Sequence, residues 1–125
     1  MVHAEKVLTA VQRGVANTRW RDFADIYTLA SRHDVNGDEL AAAITRVAEH
    51  RGLRLVLLSE ILDGYAVLAQ RRWVAWRRKH RLDDRLPERF QEALDVVITF
   101  ADPGLSGETV NRVWYAAQRA WQEPH

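Results

Sequence analysis

The sequence predicts an all-α protein, a bundle of five or six short helices spanning residues 1–125 as a single domain. Three observations carry that expectation. Apolar residues recur at helical spacing along nearly the whole chain. No segment alternates polar and apolar residues over five or more positions between turn signals, so strand signals are almost absent. The chain is 47% hydrophobic and 28% charged, which is ordinary globular composition and excludes a disordered or collagen-like polymer.

Residues 3–13 carry Ala4, Val7, Leu8 and Val11 as an i, i+3, i+4, i+7 stripe, and Gly14 is a stop for this first helix. Asn17 and Thr18 are cap residues for a second helix, about 19–32, with Trp20, Phe23, Ala24 and Tyr27 on one face. His33 to Gly37 reads as a turn. Asn36 followed by Glu39 resembles a capping box for a third helix, about 38–51, with Leu40, Ala41, Ile44, Val47 and Ala48 inward and Gly52 at its end. Leu53 to Leu58 reads as an extended connector rather than a strand.

Ser59 is expected to cap a long fourth helix, about 60–79, with Ile61, Tyr65, Leu68 and Trp76 on its apolar side. Pro87 suits the first position of a fifth helix over 87–101, carrying Phe90, Leu94, Val97, Ile98 and Ala101, and Asp102-Pro103-Gly104 should break it. The tail, 105–125, has helix-compatible spacing at Val110, Val113, Trp114, Ala117 and Trp121, but its Gly and Thr content predicts weak structure.

Composition removes several function classes. There is no cysteine, so disulfides, thiolate metal sites and a cysteine nucleophile are excluded. No uncharged stretch is long enough to span a bilayer, and no apolar core follows a basic start, so the expected compartment is the cytoplasm, with no membrane partner. Eighteen basic and seventeen acidic side chains nearly cancel, giving no global field toward nucleic acid or membrane. The local distribution is uneven. Arg71, Arg72, Arg77, Arg78, Lys79 and Arg81 fall together, with no acid between Asp63 and Asp83, and Trp73 and Trp76 lie inside that run. Arginines beside indole rings suit a nucleic-acid surface; equally, the arginines can snorkel while Trp76 packs inward. Arg71 and Arg78 share a face away from Tyr65 and Leu68.

The five histidines have no metal-ligand spacing. Asp34, Asn36 and Asp38 briefly resemble a calcium loop, but glycine falls at 37 and Thr45 stands where a bidentate glutamate is needed, so a turn with a helix cap is the better reading. No phosphate loop, dinucleotide fingerprint or nucleophile elbow is present.

Two features of the first helices point to chemistry. Lys6 and Arg13, seven residues apart, lie on one face opposite the apolar stripe, an arrangement suited to a polyphosphate or to a solvated polar face. Asp22 stands at i, i+4, i+7 with Ile26 and Leu29, a second apolar strip. A carboxylate beside apolar surface is costly unless paired or used, and Arg19, Arg21 and Asp25 are near enough to pair or to share a site.

The run Ala4-Glu5-Lys6, Arg13-Gly14 and Asn17-Thr18-Arg19-Trp20-Arg21-Asp22-Phe23-Ala24-Asp25-Ile26-Tyr27 resembles the C-terminal motif region of the AbiEii/AbiGii toxin family. Leu62-Asp63-Gly64-Tyr65, the pair Trp73 and Trp76-Arg77, and Arg81 to Pro87 are similar to actinobacterial members. The resemblance covers nearly the whole chain and is most specific over residues 4–29. It implies a nucleotidyltransferase of a type IV-like toxin–antitoxin system, transferring a nucleoside monophosphate from a nucleoside triphosphate, with Mg2+, to the 3′ end of tRNA or another acceptor. It implies Lys6 as the residue that holds the triphosphate and Asp22 as an active-site acid. Arg13, Arg19 and Asp25 are weaker substrate-binding transfers, and an antitoxin is the implied partner.

The family pattern also has a sheet with a Gly-Ser motif and paired metal-binding acids. This sequence has no Gly-Ser dipeptide and no Asp-x-Asp. Nucleotidyl transfer depends on metal-neutralised charge, so the resemblance implies the helical C-terminal half, inactive alone and dependent on a separately encoded catalytic half. The rival expectation is a small helical RNA-binding or antitoxin-like regulatory module acting through Arg71 and Arg78.

Overall fold

The computed structural model describes residues 2–13 and 20–124. Among these, six helices follow in order: α1 (Val2–Arg13), α2 (Trp20–Arg32), α3 (Gly37–Arg51), α4 (Leu58–Ile61), α5 (Tyr65–Lys79) and α6 (Phe90–Ser106). Three short strands, β1 (Val35–Asn36), β2 (Val113–Tyr115) and β3 (Ala120–Gln122), form an antiparallel sheet in the order β1-β2-β3. The protein is therefore mostly helical, and the all-α expectation is corrected by this sheet. Gly14, Asn17, Thr18 and Arg19 lie outside the described residues.

The two N-terminal helices follow their sequence pattern. Ala4, Val7, Leu8 and Val11 are all buried on α1; on α2 Phe23 and Ala24 of the expected face are buried, Trp20 and Tyr27 are half-buried, and Ile26 of the second apolar strip is buried as well. Helix α3 opens on the expected cap: Asn36 Oδ1 accepts from the Glu39 N–H at 3.0 Å. It closes at Gly52, which adopts the left-handed conformation (φ 64°). Residues 53–57 are irregular, as the connector reading expects.

The expected long fourth helix is instead two. Helix α4 ends at Ile61, and Gly64 (φ 73°) turns the chain before α5. Ser59 is not the cap. The Asp102 carboxylate reaches from α6 and accepts from the N–H groups of Leu58 (2.7 Å) and Ser59 (3.2 Å). A helix start that local sequence cannot satisfy is satisfied by a residue 44 positions on.

The register of α5 also differs. Its buried stripe is Ala66, Ala69 and Trp73, while Leu68 is 83% exposed; Tyr65 and Trp76 are half-buried at the margin. Trp73 decides this. Its ring stacks on Phe90 at 4.9 Å between centroids, and its Nε1–H donates to the Pro87 carbonyl at 2.9 Å. Burying an indole with its N–H satisfied outweighs burying one leucine.

Helix α6 is the centre of the molecule. Nine of its seventeen residues are buried, and it packs against α2, α3, α4 and α5. It starts at Phe90 rather than Pro87, with the Phe90 N–H donating to Gln70 Oε1 at 2.8 Å. It also runs through Pro103, which the sequence reading takes as a breaker. Pro103 lacks an N–H and so removes one helical bond. Gly104 offsets this by letting α6 approach α3 closely: a Cβ there would lie 3.0 Å from the Ile44 side chain. The helix stops at Gly107 (φ 82°).

The tail is ordered by tertiary contact, and its helical spacing is overturned. Strand β2 pairs with β1 on one side and β3 on the other, with Trp114 opposite Trp121. Trp114 is fully buried, its Nε1–H donating to the Ala30 carbonyl at 2.7 Å; Trp121 Nε1–H donates to the Phe100 carbonyl at 3.0 Å. Gly37 is the close-approach point, because a Cβ there would meet the carbonyl oxygens of Thr109 and Arg112. The Asp34-Asn36-Asp38 series finds its use here. Asp34 accepts from the Ala116 N–H (2.8 Å) and Asp38 from the Asn111 N–H (2.9 Å), so two of the three oxygens dock the tail.

Candidate functional site

Helices α1 and α2 lie side by side, and that contact decides what Lys6 does. Its Nζ donates to Asp25 Oδ2 at 2.8 Å, with the two side chains 32% and 31% exposed. This is the only ion pair among the described residues. The sequence places Lys6 on a cationic face with Arg13; the structure joins it to an acid of the neighbouring helix. Arg13 is half-buried in the last turn of α1. Asp22 is half-buried in the first turn of α2, with no hydrogen bond or ion pair to a described residue. Of the acids near the Arg-Asp element, Asp25 is therefore the one held at a defined position. Arg19 lies outside the described residues.

Arg21, which the sequence allows as a partner for Asp22, turns elsewhere. Its guanidinium lies 5.7 Å from the Trp76 ring centroid. That indole also stacks on Trp73 at 5.7 Å, and His80 lies 5.1 Å from it. Neither tryptophan of the basic run is therefore open to stack on a base. Trp73 is fully buried, and Trp76 is already covered by protein rings and by Arg21.

The arginines of that run divide into two sets. Arg71 and Arg78 are exposed on α5, with Val67 (82% exposed) and Leu68 exposed one turn before Arg71. Arg77 points the other way. It donates to the Leu86 carbonyl through Nε (3.1 Å) and to the Asp83 carbonyl through Nη2 (3.3 Å). With Trp73 on Pro87, it ties the 82–87 turn to α5. That turn brings Arg85 opposite α2, where Arg85, Arg21, Arg32 and Thr28 line one cleft. Arg32 and Thr28 had a sequence signal: Arg21, Asp25, Thr28 and Arg32 fall at i, i+4, i+7 and i+11, one stripe of α2. Arg85 had none, because a turn fixed by backbone acceptors places it there.

No three His, Asp or Glu side chains come together in a way that could hold a metal ion among the described residues. The residues near Lys6 therefore do not fit a magnesium centre: Asp25 is engaged by an ammonium, and no third ligand joins it and Asp22. Among the described residues, His3 on α1 is the group whose pKa is clearly displaced. Burial lowers its pKa below the ordinary 6.5, and His33 lowers it further. Its ring lies 5.9 Å from Phe100, and Nε2 is buried without a partner. No described helix is long and apolar enough to cross a membrane.

Residues 1–96 match the model of one protein family, described as nucleotidyl transferase AbiEii toxin, type IV TA system. The matched span contains α1 to α5 and the cleft-forming turn. Neither a curated protein nor a solved structure matches the chain.

Proposed function

The chain belongs to the AbiEii nucleotidyl transferase toxin family, and from that premise we propose that it supplies the helical, substrate-holding part of a transferase. The reaction of that reading moves a nucleoside monophosphate from a nucleoside triphosphate to the 3′ end of tRNA or another acceptor. The observation that carries it is the Lys6–Asp25 pair across the α1–α2 seam. A lysine held by one carboxylate is positioned rather than swinging freely, and it can share its remaining donors with a phosphate. Asp22, half-buried one turn before Asp25, is the acid this reading places in the active site, with Arg13 and Arg19 as cations for substrate.

The family chemistry calls for magnesium, and the described residues do not fit it. In this reading the chain is inactive alone and complements metal-holding carboxylates from a separately encoded half, with an antitoxin as its controlling partner and the cytoplasm as its compartment. Incubation of the purified chain with labelled nucleoside triphosphates, Mg2+ and total tRNA tests this. No incorporation above background is expected, and robust labelling that Asp22→Asn leaves intact would overturn both the inactivity and the role of Asp22.

One observation favours a second reading. Helix α5 exposes two arginines, Arg71 and Arg78, and two aliphatic side chains, Val67 and Leu68, one turn before Arg71. That is a surface for an RNA-binding or antitoxin-like regulatory module, acting on phosphates through the arginines. It differs from the first in which residues matter: loss of RNA binding on replacing Arg71 and Arg78, with Lys6 and Asp25 intact, selects it.

A further inference from the structure

The cleft between α2 and the 82–86 turn is lined by three arginines and one acid. Arg21 and Arg32 come from one stripe of α2, and Arg85 faces them from the turn. The Thr28 hydroxyl lies between the α2 arginines along that stripe. Asp25 also lines the cleft, but its charge is taken by Lys6 at 2.8 Å. Asp83 and Asp84 neighbour Arg85 in the chain, yet no described acid lies within ion-pair distance of any of these guanidiniums.

From this we propose that the cleft is a phosphate-binding site. Three like charges facing one space repel each other, and an anion between them removes that repulsion. Guanidinium groups present planar pairs of N–H donors that match phosphate oxygens, and no ion pair to a described acid occupies them. The size fits. The cleft volume is about 180 Å³, room for a phosphate group. Its floor includes Ala24 and Leu86, each only 5% exposed, and apolar surface strengthens charge-assisted hydrogen bonds beside it.

Part of the wall is fixed before any ligand arrives. The Arg21 guanidinium lies over Trp76, which restrains it without cancelling its charge. The turn is closed by the Arg85 and Leu86 N–H groups, both donating to the Leu82 carbonyl at 3.0 Å, and is tied to α5 by Arg77. Preorganised donors lose less entropy on binding. The ligand class is a phosphate group, whether from the polyphosphate of a nucleotide or the backbone of an RNA strand. The site goes beyond the transferase reading, since it holds a phosphate whether or not the chain transfers a nucleotide.

The test is calorimetric titration of the whole chain with inorganic triphosphate at low salt, with each variant's fold checked by thermal melting. Wild type is expected to bind. The double replacement Arg32→Ala with Arg85→Ala should weaken binding about tenfold or more, because two charge-assisted contacts are lost. The double replacement Arg46→Ala with Arg54→Ala removes the same charge from exposed positions away from the cleft and should leave binding within about twofold. Thr28→Val, a milder change, keeps the site testable if the arginine variant unfolds, and a measurable weakening is expected. Repeating the titration with ATP and with a short single-stranded RNA identifies the source, since only the true one should be sensitive to Arg32 and Arg85. No binding by wild type, or equal loss in the two arginine doubles, would overturn the proposal.

Discussion

Helices α2 and α5 each carry a row of arginines, and the two rows have opposite fates. On α2, Arg21 and Arg32 look across a cleft at Arg85 of another segment. On α5, Arg71 and Arg78 stand in solvent, with Val67 and Leu68 exposed one turn before Arg71. Helix α2 balances its two arginines with Asp22 and Asp25, whereas α5 carries four arginines and Lys79 with no acid. Convergence from two elements exists only in the first, where the donors surround one space and apolar side chains exclude part of the water. A row on a single helix is screened within about a Debye length, ~8 Å at physiological salt, so it attracts without defining a geometry.

The strongest way to break this contrast is to remove what supports both rows. Trp73 lies beneath them, stacked on Phe90 and on the Trp76 ring that carries Arg21. Trp73→Ala should cost about 3–5 kcal/mol and strand the Pro87 carbonyl, and Leu68→Ser on the opposite face should change stability by less than about 0.5 kcal/mol. Denaturant unfolding of both variants checks this; equal effects would mean that α5 is turned the other way.

A smaller effect sharpens the α2 side. A double-mutant cycle on Lys6→Ala and Asp25→Ala should show a coupling of about 0.5–1 kcal/mol, falling as salt is raised. Zero coupling at low salt would mean that the pair does not fix Lys6 and would remove the support for the transferase reading.

The smallest effect concerns pH. His3 has a folded pKa below 6.5, so the unfolded chain binds its proton first as pH falls. Its contribution to stability is fully present above 6.5 and is lost progressively from there down to the folded value. His3→Phe should flatten the stability profile on the acid side of 6.5. A profile identical to wild type would show that another group carries the acid sensitivity.

The N-terminal helices were legible because their apolar stripes are strong and local. Lys6 and Asp25 were both visible as candidates, yet their pairing was not, because it depends on how α1 lies against α2. The Asn36 cap and the Gly52 stop were legible for the same local reason. Ser59 was misread since the donors of α4 are capped by Asp102 from a distant helix. The tail was misread because strands of three residues are too short to display alternation, and their partner β1 is about 80 residues away.

By itself, the sequence determined that the chain is mainly helical, which faces of α1 to α3 are buried, where α3 begins and ends, and which residues resemble a nucleotidyltransferase toxin. Those properties depend on side-chain periodicity and on hydrogen bonds between near neighbours. Tertiary structure decided which side of α5 is inward, that the tail joins a sheet, that Lys6 meets Asp25, and that Arg85 closes a cleft against α2. Each of these depends on a contact between segments far apart in the chain. Their free energy comes from burying large rings and satisfying backbone donors across the fold, and no local pattern records it.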